Sequence, residues 1–149
     1  MLLSEKEPAS SADVYLLVND TAAILIVEDE TFIAWDMATD LHDAGFDVLG
    51  PAETVMQALG YCRSAKLDAA ILDINLGSET VWPVARFLEQ ANIPFLFHTA
   101  DLDHPELSNE FAHISIVSKP GKKGELVQML QAVIDKKAHS TKTKVRLRA

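Results

Sequence analysis

The sequence predicts an α/β domain built on a doubly wound parallel sheet of five strands. Three observations lead there. Short continuous apolar runs recur along the chain, of the kind that suits strands buried on both faces. Between them lie stretches with apolar residues at helical spacing, so strand and helix alternate. The length of 149 residues suits one domain of this class.

The elements follow in order. Ala23–Val27 (AILIV) reads as the first strand. A helix is predicted over Thr31–Ala44, with Phe32, Ile33, Met37, Leu41 and Ala44 on one stripe, and Gly45 stops it. Phe46–Leu49 reads as the second strand, broken by Gly50-Pro51. Thr54 is placed to cap a helix running through Ser64, with Val55, Ala58 and Leu59 inward. Asp68–Leu72 is the third predicted strand. Glu79–Gln90 is the third helix, with Pro83 required to sit in its first turn. Ile93–His98 is the fourth strand, Pro105–Ala112 a short weak helix, and Ile114–Val117 the fifth strand. Lys123–Lys137 closes the domain, with Leu126, Val127, Leu130, Val133 and Ile134 on one face. Right-handed crossovers then cover both faces of the sheet. The natural closure is a flavodoxin-like sheet of order 2-1-3-4-5 with about five helices.

The expected organisation is an N-terminal extension over 1–21, a domain over 22–138 and a basic tail over 139–149. Val14–Val18 in the extension is apolar enough to dock on the body or on a partner. Hydrophobic residues make up 48% of the chain, enough for a core, and charged residues 23%, too few for disorder. The longest apolar runs, such as Ala22–Val27, fall far short of the ~20 residues of a membrane-spanning helix. Cys62 stands alone, which excludes an intrachain disulfide and a cysteine zinc cluster. The start, MLLSEKEPASS, carries Glu5 and Glu7 where a secretory signal needs a basic and then apolar stretch, so the expected location is cytoplasmic. The net charge is −9, yet nine of the 13 basic residues lie from Lys119 onward. The acidic body disfavours nucleic acid, and the basic end reads as a solvated tail.

In a parallel α/β sheet, ligands bind beyond the carboxyl ends of the strands. The first strand is followed by Glu28, Asp29 and Glu30, the third by Asp73, the fourth by Thr99 and Ala100, and the fifth by Ser118, Lys119 and Pro120. Carboxylates gathered without a cation repel each other. A hard divalent ion removes that penalty, and Mg²⁺ prefers a few carboxylates plus phosphate and water. Lys119 adds a point charge for a phosphate oxygen, Thr99 a hydroxyl, and small Ala100 an open approach to Asp73. Such parts position a phosphoryl group and neutralise its charge. A carboxylate can itself be the acceptor. Each residue also has a plainer reading: solvated loop acids for Glu28 and Asp29, a turn cap for Asp73, a surface lysine for Lys119, a strand residue for Thr99. His98 near the site reads as a packed or partly exposed strand end rather than a proton carrier. His42, His104, His113 and His139 read as surface residues. Trp35 and Trp82 read as packing or partner-contact residues.

Taken together, VEDE, ILDINLG, FHTA and SKP resemble the motifs of a response-regulator receiver domain, over about residues 22–138. The resemblance implies that Asp73 accepts a phosphoryl group from a phosphohistidine on a histidine kinase or histidine phosphotransferase. It implies Mg²⁺ held by Glu28, Asp29, Asp73 and the backbone carbonyl of Asn75, with Thr99 and Lys119 on the phosphoryl oxygens. It also implies a cis Lys119-Pro120 bond. GFDVLGPAETVMQAL and PFLFHTA look most like a receiver subgroup with a Phe-Ala-Thr-Gly motif, although His98, Ala100 and Leu102 replace the usual Ala, Gly and Tyr. Receivers usually carry an aromatic three residues before the lysine, where this chain has Ile116, and a bulky residue where it has Gly121. Signalling through the order of Asp101–His113 is the expected substitute. The implied protein is a single-domain switch rather than an enzyme, catalysing only its own phosphorylation and dephosphorylation. With about 11 residues after the domain, no DNA-binding domain is expected. Output then passes to a downstream protein, or the chain serves as a phosphate sink. Gln128 to Lys137 is compatible with homodimer pairing. Two alternatives stay open: a metal-dependent phosphohydrolase with an aspartate nucleophile, and a degenerate receiver that only binds partners.

Overall fold

The computed structural model describes residues 21–148, with side chains through Ser140. The readings on residues 1–20, including the apolar run at Val14–Val18, lie outside the described residues. Strand β1 (Ala23–Val27) is an internal strand and almost fully buried. It pairs in parallel with β2 (Asp47–Ala52) on one side and β3 (Ala69–Leu72) on the other. A hairpin of β4 (Asn75–Leu76) and β5 (Glu79–Thr80) follows β3, and then β6 (Phe95–Thr99) and β7 (Ile116–Ser118) complete the sheet. The five-stranded sheet has the order β2-β1-β3-β6-β7, which is the expected 2-1-3-4-5 order once the hairpin is set aside.

Alternation along β3 shows why its run is unbroken. Ala70 and Leu72 enter one core, with Leu25, Val27, Phe97 and Trp82. Ala69 and Ile71 enter the other, with Ile24, Ile26, Leu96 and Leu130. Helices α2 (Val55–Ser64) and α3 (Trp82–Gln90) cover the first face, and α1 (Thr31–Asp43) and α5 (Glu125–Arg148) the second. Each fully buried Leu or Ile contributes about 1.5–3 kcal/mol. One helical turn, α4 (Pro105–Ser108), is all that forms between β6 and β7, as its weak pattern predicts.

Local rules place most boundaries. Gly45 takes φ 94° just past α1, where a side chain would be strained. The Thr54 hydroxyl accepts the Gln57 N–H at 3.1 Å and so caps α2. Thr54→Ala should lower stability by about 1 kcal/mol in urea denaturation, and an unchanged midpoint would contradict the cap's role. Pro83 sits in the first turn of α3, where its missing N–H has no helical partner to lose.

Five expectations need correction. The second strand does not stop at Gly50-Pro51: it runs to Ala52, with a register shift opposite Leu25 and Val27, and the Ala52 carbonyl accepts the Glu28 N–H at 2.9 Å. A Cβ on Gly50 would lie 2.7 Å from the Ile26 carbonyl oxygen, so glycine here serves close strand approach rather than a break. Residues 79–80 form a hairpin strand, not the start of a helix, because the chain turns back at Gly77 with φ 61°. Phe32 is 81% exposed: the buried stripe of α1 runs through Ala34, Met37 and Leu41 instead. The last helix continues to Arg148, through most of the stretch expected as a tail. That stretch contains neither Gly nor Pro to stop it. His104 is not a plain surface residue, since its side chain is only 17% exposed and its ring packs edge-on against Trp82.

Candidate functional site

Parallel pairing brings the carboxyl ends of β1, β3, β6 and β7 to one edge of the sheet. The Asp73 N–H donates to the Val27 carbonyl at 2.9 Å, and the Lys119 N–H to the Thr99 carbonyl at 2.9 Å. Residues 91 and 46 positions apart therefore meet. Lys119 Nζ donates to Glu28 Oε1 at 2.5 Å and to Asp73 Oδ2 at 3.0 Å. The side chain of Glu28 is fully buried, and those of Lys119 and Asp73 are only 13% and 11% exposed. Oxygens of Glu28, Asp29 and Asp73 all lie within 4.8 Å of one another.

Electrostatics follow from this burial. Desolvation pushes the Glu28 carboxyl up to about 7, and the neighbouring Asp73 carboxylate reinforces the rise although Lys119 opposes it. Burial also works against the Lys119 charge, but Glu28 and Asp73 outweigh it and hold the ammonium above its usual range. Three carboxyl groups, that of Glu28 fully buried, offer hard oxygen donors that fit a small divalent cation.

The remaining loops shape the opening. Asp29 Oδ2 accepts the Gly77 N–H at 2.9 Å, which fixes the β4–β5 turn beside the acids. Thr99 is buried at the end of β6, and its Oγ1 accepts the Asp101 N–H at 3.1 Å. Asn75 donates from its amide to Asp101 Oδ2 at 3.0 Å. Asp101 is held below the usual carboxylate range by the Asp103 N–H and by Asn75. A groove of about 1010 Å³ opens above the site, lined among others by Asp29, Asp73, Thr99, Ala100, Lys119 and Pro120. The Lys119-Pro120 bond is cis, as the resemblance implies. His98 lines the same groove, is nearly buried and has an unpartnered Nδ1. Burial, then the Lys119 charge, lowers its basicity. Ile116 packs at the edge of the first core, three residues before Lys119.

Glu28, Asp29, Asp73, Thr99 and Lys119, all expected from the sequence, thus meet at one edge, with Asn75, Ala100 and Pro120 around them. The sequence reading missed Asp101 and Gly77. Asp101 had a signal, being an acid two residues past the end of a central strand. Gly77 had none beyond a turn-forming Gly-Ser pair.

Sheet order and site together define a flavodoxin-like α/β protein with an acidic site at its carboxyl edge. A family described as the response regulator receiver domain matches residues 24–131, and the chain belongs to that family. Among solved structures, the chain is similar to the signal receiver domain of a modulated diguanylate cyclase from Desulfovibrio desulfuricans, at 26% identity over 81% of this chain and 99% of that one, with a TM-score of 0.73. It is similar at 26% identity to the chemotaxis protein CheY4 of Vibrio cholerae, over 76% of this chain and 98% of that one, with a TM-score of 0.65. A response regulator receiver protein from Sinorhizobium medicae shares the fold, at 23% identity over 79% and 98%, with a TM-score of 0.71. No curated protein matched the chain. Family membership makes the chain a component of two-component signalling and implies kinase or phosphotransfer partners.

Proposed function

We propose that the chain is a phosphorylation switch in which Asp73 takes a phosphoryl group from a phosphohistidine of a histidine kinase or histidine phosphotransferase. The supporting observation is the convergence of Lys119 on Glu28 and Asp73 beside a third carboxylate, Asp29. An Asp73 carboxylate oxygen attacks phosphorus, the phosphorus–nitrogen bond breaks, and the departing imidazole keeps the electron pair and takes a proton. Lys119 and the Thr99 hydroxyl meet the transferred oxygens. Mg²⁺ held by Glu28, Asp29, Asp73 and the Asn75 carbonyl would supply the charge that lets two anionic groups approach. Asn75 sits where an aspartate-nucleophile hydrolase needs a second acid, which weighs against that alternative. Large exposed apolar side chains stand near this edge: Phe32 and Met56 in the first turns of α1 and α2, Trp35 one turn on, and Leu102 past β6. They support docking of a protein donor and output through protein contacts.

Two outcomes test the metal site. Asp29→Ala should abolish Mg²⁺ binding in a calorimetric titration, and an unchanged titration would contradict the assignment. Binding requires the Glu28 carboxylate, whose proton is held up to about 7 rather than 4.5. Mg²⁺ affinity should therefore climb as pH rises through that window and level off above it. A flat profile across it would exclude Glu28 as a ligand.

A further inference from the structure

A second set of contacts leads away from the site, and the inference drawn from it rests on phosphorylation at Asp73. Ile116 has no ring to turn in response to a charge at the site. Asp101 instead ties three elements together. Its N–H donates to Thr99 Oγ1 at 3.1 Å, and its carbonyl lies 3.4 Å from the same hydroxyl. Its Oδ2 accepts from the Asn75 amide at 3.0 Å and stands 3.0 Å from His104 Nε2, a close polar contact whose angles fall outside a hydrogen bond. His104 lies edge-on to Trp82, with ring centres 5.5 Å apart and planes at 76°. Trp82 in turn stacks on Phe111 at 5.6 Å and 13°. The far end of the 101–113 segment is pinned to α3: Arg86 donates twice to Glu110, at 2.8 and 2.9 Å, and His113 lies 3.0 Å from Glu89.

A threonine hydroxyl has one proton to give. Turned toward a phosphoryl oxygen, the Thr99 hydroxyl no longer serves the Asp101 carbonyl. A phosphoryl dianion at Asp73 would also repel the Asp101 carboxylate on the same edge. Both effects act on Asp101, and His104 and Trp82 are next in contact. We propose that Asp101 and His104 form a latch between the site and the 101–113 segment, which phosphorylation of Asp73 releases. The face altered is the one that α3 and this segment present, so release gives a protein partner a different surface to read. The device uses no aromatic at position 116.

The test uses the full chain carrying Trp35→Phe, which leaves Trp82 as the reporter of the chain's two tryptophans. Phosphoramidate and Mg²⁺ supply the phosphoryl group, and intact mass reads its uptake. Uptake should shift Trp82 emission and speed amide exchange over residues 105–113 roughly fivefold, the scale of one lost hydrogen bond. His104→Leu should take up phosphoryl as before, exchange roughly fivefold faster without it, and lose the emission response. Uptake by mass with unchanged or slower exchange and unchanged emission would overturn the latch alone. No uptake would overturn the phosphorylation reading, and the latch with it.

Discussion

Lys119→Ala is expected to lower stability by about 3 kcal/mol at pH 8, the scale of removing one partner from a buried ion pair. The same change should slow phosphorylation of Asp73 by roughly 100-fold, as for loss of one preorganised charge partner. The loss of stability originates at Glu28. Glu28 is fully buried, and the ammonium 2.5 Å away is the one side-chain cation paired with it among the described residues. The sign with pH is fixed by the direction of the Glu28 shift. Its folded-state proton is held up to about 7 against an ordinary 4.5, so ionising Glu28 works against the fold as pH rises through that window. Lys119 offsets this. Without it the buried carboxylate stands uncompensated at pH 8, whereas near pH 5 Glu28 carries a proton and needs no partner. Urea denaturation at both pH values should show a large difference between variant and parent at pH 8 and a small one at pH 5. Equal differences would mean that Lys119 stabilises through Asp73 or through packing rather than by compensating Glu28.

Asp73→Asn is expected to abolish phosphoryl uptake from a small phosphodonor while leaving the fold intact. The amide has no carboxylate oxygen to attack phosphorus, yet its oxygen can still accept from Lys119, which lies 3.0 Å from the parent carboxylate. Stability should hold or rise slightly, since the substitution removes a like charge that pushes the Glu28 carboxyl upward. Residual uptake in this variant would move the acceptor elsewhere. A variant that unfolds would make Asp73 a structural residue first.

The parts of this molecule that were legible in its sequence are those written in short windows. AAIL and AILIV carry strand burial in their composition, and Thr54 and Gly45 carry helix ends in their chemistry. The site was legible for a related reason: parallel strands deliver whatever follows them to one edge, so reading the residue after each strand finds Glu28, Asp73 and Lys119 without knowing any distance. What escaped was decided by partners far along the chain. Gly50-Pro51 is a turn signal taken alone, but pairing with β1 carries the strand through it. His104 looks solvated until Trp82 and Asp101 close around it. Phe32 fits an apolar stripe by spacing, and only the packed rotation of α1 shows it outward. The stretch 139–149 reads as a tail by charge, while its lack of helix breakers lets α5 run to Arg148.

The central claim is that four strand ends build a metal-assisted phosphoacceptor at Asp73. Its most direct test is mass spectrometry of the full chain after incubation with phosphoramidate, with Mg²⁺ and with a chelator, followed by mapping of the modified peptide. One phosphoryl group on the peptide containing Asp73, gained with Mg²⁺ and not with the chelator, is the predicted result. Modification at another residue, or equal modification with the chelator, would contradict it.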